Sequence, residues 1–254
     1  MLQFCLVLSL SFVMVFFFLL RAPVPYGRHA ASHYQFLPMG PLIPATISWS
    51  LQESPSLIIP LYFLVTSDMP SFWNALLLSC MIGHYFNRFQ VLFPSSHISR
   101  AIIYPCRLSK ARPVPLFVTV LAFLFCAVNG YLQGRALMLF TRGPDLLLVS
   151  GIFLFCLGLW INISSDNELL RLRSKGSYGM PRGGLFDLVS CPNYLGEIIE
   201  WAGFAIACSN LVSWTFAWCT TANLVPRALQ HDAWYRSKFE EYPKRRKALI
   251  PWLL

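Results

Sequence analysis

Residues 146–166 read LLLVSGIFLFCLGLWINISSD, an apolar run that closes on Asn162 and Asp166. A helix that crosses the hydrocarbon core of a bilayer needs roughly 20 mostly apolar residues, and this run carries no charge before Asp166. Asn162 and Asp166 stand four apart, so on a helix they share one face just where the apolar stretch gives out. One segment therefore predicts both a lipid-spanning helix and a polar patch at its end.

Within that segment the spanning stretch is 146–163, and outward from it six more have similar character: 2–20, 42–65, 72–86, 114–132, 195–208 and 211–225, the last two divided near Ser209 and Asn210. With 56% hydrophobic and 12% charged residues, the bilayer is the expected solvent of the whole chain. The expected fold class is all-α: a polytopic membrane protein of seven transmembrane helices, forming a single membrane-embedded domain over 1–254. The first stretch differs from a cleaved signal peptide, because no Lys or Arg precedes it and no small-x-small site follows Leu20.

Lys and Arg favour cytoplasmic loops. Seven spans with a lumenal N-terminus and a cytoplasmic C-terminus put every basic residue on the cytoplasmic side except Arg135 and Arg142. An even number of spans destroys that asymmetry. The net charge of +9 then needs no nucleic acid, since anionic headgroups attract juxtamembrane cations, and the run Lys244-Arg245-Arg246-Lys247 has the same explanation. The eight cysteines contain no C-x-x-C pair and the five histidines no ligand spacing, so neither a disulfide scaffold nor a metal site is expected. Asn162-Ile163-Ser164 matches the glycosylation pattern, but this topology places it at the cytoplasmic end of its span, where it is not read.

Polar residues inside spans mark cavities or partners, because lipid penalises them by about 3 kcal/mol or more for a charge. Glu53 is such a residue, beside Gln52 and followed by the apolar run 57–64. His84 and Tyr85 lie near the cytoplasmic end of the third span, where Tyr85 is either an interfacial anchor or, with Glu53, one of two groups gripping a carbonyl oxygen. Three ladders at i, i+4 spacing lie at the cytoplasmic ends of apolar segments: Asn162 with Asp166, Asn193 with Glu197 (then Glu200 and Trp201), and Arg227 with His231 and Tyr235. Together they predict one polar cavity suited to a large polar ligand. The turn-rich stretch 178–186, YGMPRGGLF, offers glycines for close backbone approach, and Arg171, Arg173 and Lys175 could meet phosphates. No G-x-G-x-x-G follows a strand, which excludes a Rossmann site.

At these positions the sequence resembles the steroid 5α-reductase (3-oxo-5α-steroid 4-dehydrogenase) family, the plant-type enzymes of brassinosteroid synthesis in particular. The motifs are PYGRHA (25–30), LQESPSL (51–57), HYFNR (84–88), NGYLQGR (129–135), INISSD (161–166), PRGGLFDLVSCPNYLGEIIEW (181–201) and PRALQHDAWYRSKFEEYPKRRKALIPWLL (226–254). The resemblance implies a multi-pass protein of the endoplasmic reticulum membrane that takes NADPH and reduces the C4–C5 double bond of a 3-oxo-Δ4-steroid. Carried over by motif, Glu53 and Tyr85 hold the 3-carbonyl. Asn162, Asp166, Arg173, Tyr178, Asn193, Glu197, Arg227, His231 and Tyr235 surround the cofactor, with Arg112 from the ARPVP match, and Tyr26, Gln52 and Trp201 lie toward the substrate. The expected partners are a steroid or sterol and membrane lipid, with no nucleic acid; the oligomeric state stays open, a monomer included.

Two features depart from the family. The family runs almost directly from HYF-x-R into a segment like AIIYP, whereas here residues 89–100, including Pro94-Ser95-Ser96, intervene as an atypical insertion that bears on Arg88 and Tyr104. The lead from Arg135 to Asp145 is short, and the Arg173 to Tyr178 spacing is tightened. Competing readings keep the fold and cofactor but take an enoyl thioester or a polyprenoid, or give up catalysis for a lipid-binding role.

Overall fold

The computed structural model describes residues 1–22, 39–89, 112–174 and 179–254, apart from the side chains of residues 89, 173 and 174. Among them are seven α-helices: α1 (Leu2–Arg21), α2 (Ala45–Thr66), α3 (Phe72–Phe89), α4 (Leu116–Leu139), α5 (Leu146–Ser174), α6 (Pro192–Cys208) and α7 (Leu211–Lys238). Three of these, α1, α4 and the Leu146–Leu172 part of α5, are long and apolar enough to cross a membrane. The chain forms two compact units, one of Met1–Pro23 with Asp145–Leu254 and one of Val24–Pro144.

In the Val24–Pro144 unit, α2 packs on both α3 and α4. Pro55 has no N–H to give to Leu51 four residues back, and the Ser54 hydroxyl donates to that carbonyl instead (2.9 Å). The two helices approach closely because Gly130 faces the Pro55 carbonyl and Gly134 lies under the Phe63 ring, where a Cβ would collide. A two-residue pairing, β1 (Leu42–Ile43) with β2 (Val114–Pro115), precedes α2 and α4. It was not expected of an all-α chain. Prolines at 41, 44, 113 and 115 block helix there, and the leading N–H groups of α4 donate to Met39 and Pro41 carbonyls. At the other end of α4, the buried Asn74 side chain donates to Leu137 O (2.7 Å) and to Phe140 O, completing carbonyls that a helix end leaves open.

In the other unit, α5 and α6 lie almost backbone to backbone. Gly151 and Gly158 on α5 face Gly203 and Gly196 on α6, each without room for a side chain. Small residues at such a seam substitute van der Waals contact for the hydrophobic drive that lipid does not supply. The α6–α7 break falls where the sequence placed it: Ser209 takes a left-handed conformation (φ 51°), and Asn210 caps α7 by accepting from Ser213 N (3.0 Å). Lone helix α1 packs on α7, with Trp218 Nε1 donating to Ser9 O and Gln230 Nε2 to Leu19 O.

Candidate active-site residues

The α5 ladder and the α6 ladder meet. Asn162 Nδ2 donates to Asn193 O (3.0 Å), and Asn193 Nδ2 donates to Asp166 Oδ1 (3.0 Å). This joins both rungs of the α5 ladder to the first residue of the α6 ladder, and the close approach at Gly158 and Gly196 brings them within reach. Asn162 and Asp166 are buried, while Asn193 and Glu197 are half-buried and face partly outward. From α7, His231 pairs through Nε2 with the Tyr194 hydroxyl (3.1 Å), so the third ladder reaches α6 as well. α7 does not end at Pro226; it runs on to Lys238 and carries half-buried Arg227, His231 and buried Tyr235 on one continuous helix. Tyr235 stacks on Tyr242 with ring centroids 5.6 Å apart.

The glycine-rich stretch lies against the tail after α7. Gly183 and Gly184 have φ of +89° and +57°, and nothing lies within 4 Å of where a Cβ would stand, so their backbone is open to close approach. Asp187 Oδ1 accepts from Gly183 N (2.8 Å), and Arg246 Nη1 donates to Pro181 O (3.1 Å). Arg246 is buried over the Tyr242 ring at 4.9 Å, which removes it from the cations that the headgroup reading of the 244–247 run covers; Lys244 and Arg245 are exposed. Ser190 ties this tail to α7 by donating to Asp232 Oδ1 (2.6 Å) and sharing a hydrogen bond with Tyr242. Arg171 is engaged with Glu168 by two hydrogen bonds of 2.9 Å.

Trp201 is 1% exposed and sits among Phe155, Phe204 and Phe216, in the aromatic core of its unit. Tyr26, Tyr178 and the Arg173 side chain lie outside the described residues, as does nearly all of the 89–100 insertion. Arg112 is exposed and belongs to the Val24–Pro144 unit, apart in sequence and unit from the three ladders.

In that unit α2 presents a polar face. Gln52 Nε2 donates to Ser48 Oγ (2.7 Å), and Ser48 shares a hydrogen bond with Thr119 of α4 (2.7 Å). One residue on, Glu53 receives Arg88 Nε at both carboxylate oxygens, 2.9 and 3.2 Å away. Side-chain exposure of 16% for Arg88 and 12% for Glu53 distinguishes this pair from the exposed ion pairs of a protein surface. Tyr85 and His84, on the same helix as Arg88, are 7% and 2% exposed, with their rings edge-on at 5.0 Å.

Sequence reasoning placed Glu53 and Tyr85 but missed the partner of Glu53. The available signal was spacing: Arg88 follows His84 by four and Tyr85 by three, which puts all three on one helical flank. It also missed Tyr194, whose signal was its place one residue after Asn193, and the buried amides Asn129 and Gln133, four apart on α4 and hydrogen-bonded at 3.2 Å.

A family model described as 3-oxo-5-alpha-steroid 4-dehydrogenase matches residues 112–254. Among similar proteins, 3-oxo-5-alpha-steroid 4-dehydrogenase 1 of Bos taurus is 39% identical over 91% of this chain and 88% of its own length. The Homo sapiens protein of the same name is 40% identical over 90% of this chain and 85% of its own. Steroid 5-alpha-reductase DET2 of Gossypium hirsutum is 38% identical over 90% of this chain and 88% of its own.

Proposed function

The chain belongs to the 3-oxo-5-alpha-steroid 4-dehydrogenase family, and from that premise we propose that it reduces the C4–C5 double bond of a 3-oxo-Δ4-steroid to the 5α-steroid, using NADPH. The family name describes the same interconversion in the oxidative direction. The observation that carries the reading is the pairing of a half-buried acid on α2, Glu53, with Arg88 of α3, which stands one turn beyond the buried Tyr85.

When bound, NADPH supplies the hydride that enters at C5. Negative charge then builds on the C3 oxygen through the conjugated enone, and a donor aimed at that oxygen lowers the barrier. The Tyr85 hydroxyl is such a donor, and Glu53 beside Gln52 completes the group that receives the 3-oxo end. Electron balance requires a proton at C4, which the phenol or water it orders can relay.

The α5–α7 residues fit a dinucleotide. Asn162, Asp166, Asn193 and Glu197 offer amides and carboxylates for sugar hydroxyls and a carboxamide, and Arg227 offers a fork for phosphate. The open backbone at Gly183 and Gly184 suits close contact with a phosphate, and His231, Tyr235, Arg173, Tyr178 and Arg112 complete the proposed set. Trp201 and Tyr26 are proposed toward the steroid. The same proposal sets the chain as one enzyme domain with seven spans, lumenal N-terminus and cytoplasmic C-terminus, in the endoplasmic reticulum membrane.

Membranes carrying the chain, incubated with NADPH and a labelled 3-oxo-Δ4-steroid, are expected to form the 5α-product. Tyr85→Phe is expected to lower kcat by about 10²–10³-fold, the usual loss for one oxyanion donor, and Glu53→Gln by at least about tenfold. Full rate in both variants overturns the mechanism, and no turnover with any such steroid overturns the function.

A further inference from the structure

We infer that Arg88 is a positioning residue for the steroid carbonyl site, acting through Glu53; the inference rests on the reductase reading above. A bare carboxylate beside an oxygen that gains negative charge opposes the reaction, because like charges at short range in a dry site repel strongly. Glu53 therefore serves a ketone reduction in one of two ways: carrying a proton, or with its charge cancelled by a partner. The structure supplies the partner that the second requires: Arg88 Nε donates to both Oε1 and Oε2, at 2.9 and 3.2 Å, which sets a positive guanidinium against the carboxyl.

The placement of Arg88 suits that task. It lies on α3 one turn after Tyr85, so one helix flank supplies both the donor for the C3 oxygen and the countercharge for the acid on α2. Both partners are largely buried, so the pair is fixed rather than averaged by solvent. Ser48, held between Gln52 and Thr119, braces the α2 turn that carries Glu53. Arg88 thus keeps the Glu53 carboxylate in place and electrically neutralised while Tyr85 engages the carbonyl. In this scheme Glu53 and Arg88 work as one unit, and Tyr85 is the hydrogen-bond donor.

The test is a double-mutant cycle in kcat with Glu53→Gln, Arg88→Met and both together, measured with NADPH and a 3-oxo-Δ4-steroid and normalised to dinucleotide bound. Arg88→Met is expected to lower kcat by about 10²-fold with the KM for NADPH unchanged, and Arg88→Lys, which keeps the charge, to recover about tenfold of that loss. The double variant is expected to be no slower than the slower single, as for residues that act together. Because Arg88→Met leaves an unpaired acid, the double variant and Arg88→Lys, which do not, secure the comparison against poor folding. Multiplying effects, a lysine variant no better than methionine, or a KM for NADPH that moves with kcat overturns the inference. Wild-type turnover in the same assay separates this from the function itself: without it the reductase reading falls too, and with it only the role of Arg88 is at stake.

Discussion

Tyr242 shows how one side chain can couple a tail to a helix. Its hydroxyl meets Ser190, its ring stacks on Tyr235, and the Arg246 guanidinium lies over that ring. Burial pushes the phenol up from its ordinary value of about 10, with its hydrogen bonds to Ser190 and Arg246 pulling the other way. An acid whose folded value is raised contributes stability that is complete below its unfolded pKa and is lost as pH rises through the folded one. Tyr242→Phe is therefore expected to be less stable than wild type at pH 8, by about 1 kcal/mol for the lost hydrogen bond. The gap should narrow above about pH 10, where wild type begins to lose its tyrosine contribution. Thermal unfolding in detergent, followed by tryptophan fluorescence from pH 8 to 11, reads the difference; a gap that widens with pH contradicts the assignment. Residues of this kind were poorly legible. Glu53 stood out as a charge in an apolar run, but Arg88, 35 positions away, and Arg246, inside a basic run, looked like solvated loop cations. Sequence carries the chemistry of a side chain more readily than the partner that a fold brings to it.

Helix cores were legible from apolar length, and helix ends from capping chemistry where it existed, as at Ser209 and Asn210. The helices outrun the apolar stretches: α5 continues to Ser174 and α7 through Pro226 to Lys238, because a helix that leaves an apolar stretch can persist on tertiary contacts. The i, i+4 ladders were the correct clue to those extensions, since they keep helical spacing beyond the apolar run. The glycine seam of α5 and α6 was not noticed, although its pairs are seven apart on each helix. It fixes the distance at which Asn162 reaches Asn193. Gly158→Val would drive a side chain into the backbone of Glu200 and Gly196. We expect it to cost about 1–3 kcal/mol or more, as overpacking does, and to weaken dinucleotide binding because the Asn162–Asn193–Asp166 chain is parted. Gly83→Ala is the control: nothing lies within 4 Å of its Cβ position, and a mid-helix Gly-to-Ala change is neutral or stabilising by up to about 1 kcal/mol. Equal melting temperatures for the two variants in detergent would count against the seam.

For the molecule as a whole, the distribution of cations makes a claim that no single helix makes. Only Arg135 and Arg142 fall on the proposed lumenal side, one near the end of α4 and the other in the connection to α5. Positive residues resist translocation, so the proposed orientation keeps the side holding nearly all of them cytoplasmic, with an odd number of crossings between the ends. Apolarity of individual helices cannot decide this, because α2, α3, α6 and α7 carry the polar groups of the proposed sites, and three other helices meet a strict test of length and composition. Orientation can be measured with an impermeant maleimide on sealed microsomes, each variant read against the labelling of the parent chain. Gly143→Cys, at an exposed position between α4 and α5, is expected to stay protected until detergent is added. Arg182→Cys and Lys244→Cys, both exposed, are expected to label at once, because the dinucleotide-facing ends must meet the cytoplasmic pool. Immediate labelling at 143 with protection at 182 and 244 would reverse the orientation. Immediate labelling at all three in vesicles shown to be sealed would remove the crossing that α5 is proposed to make, and with it the seven-span count.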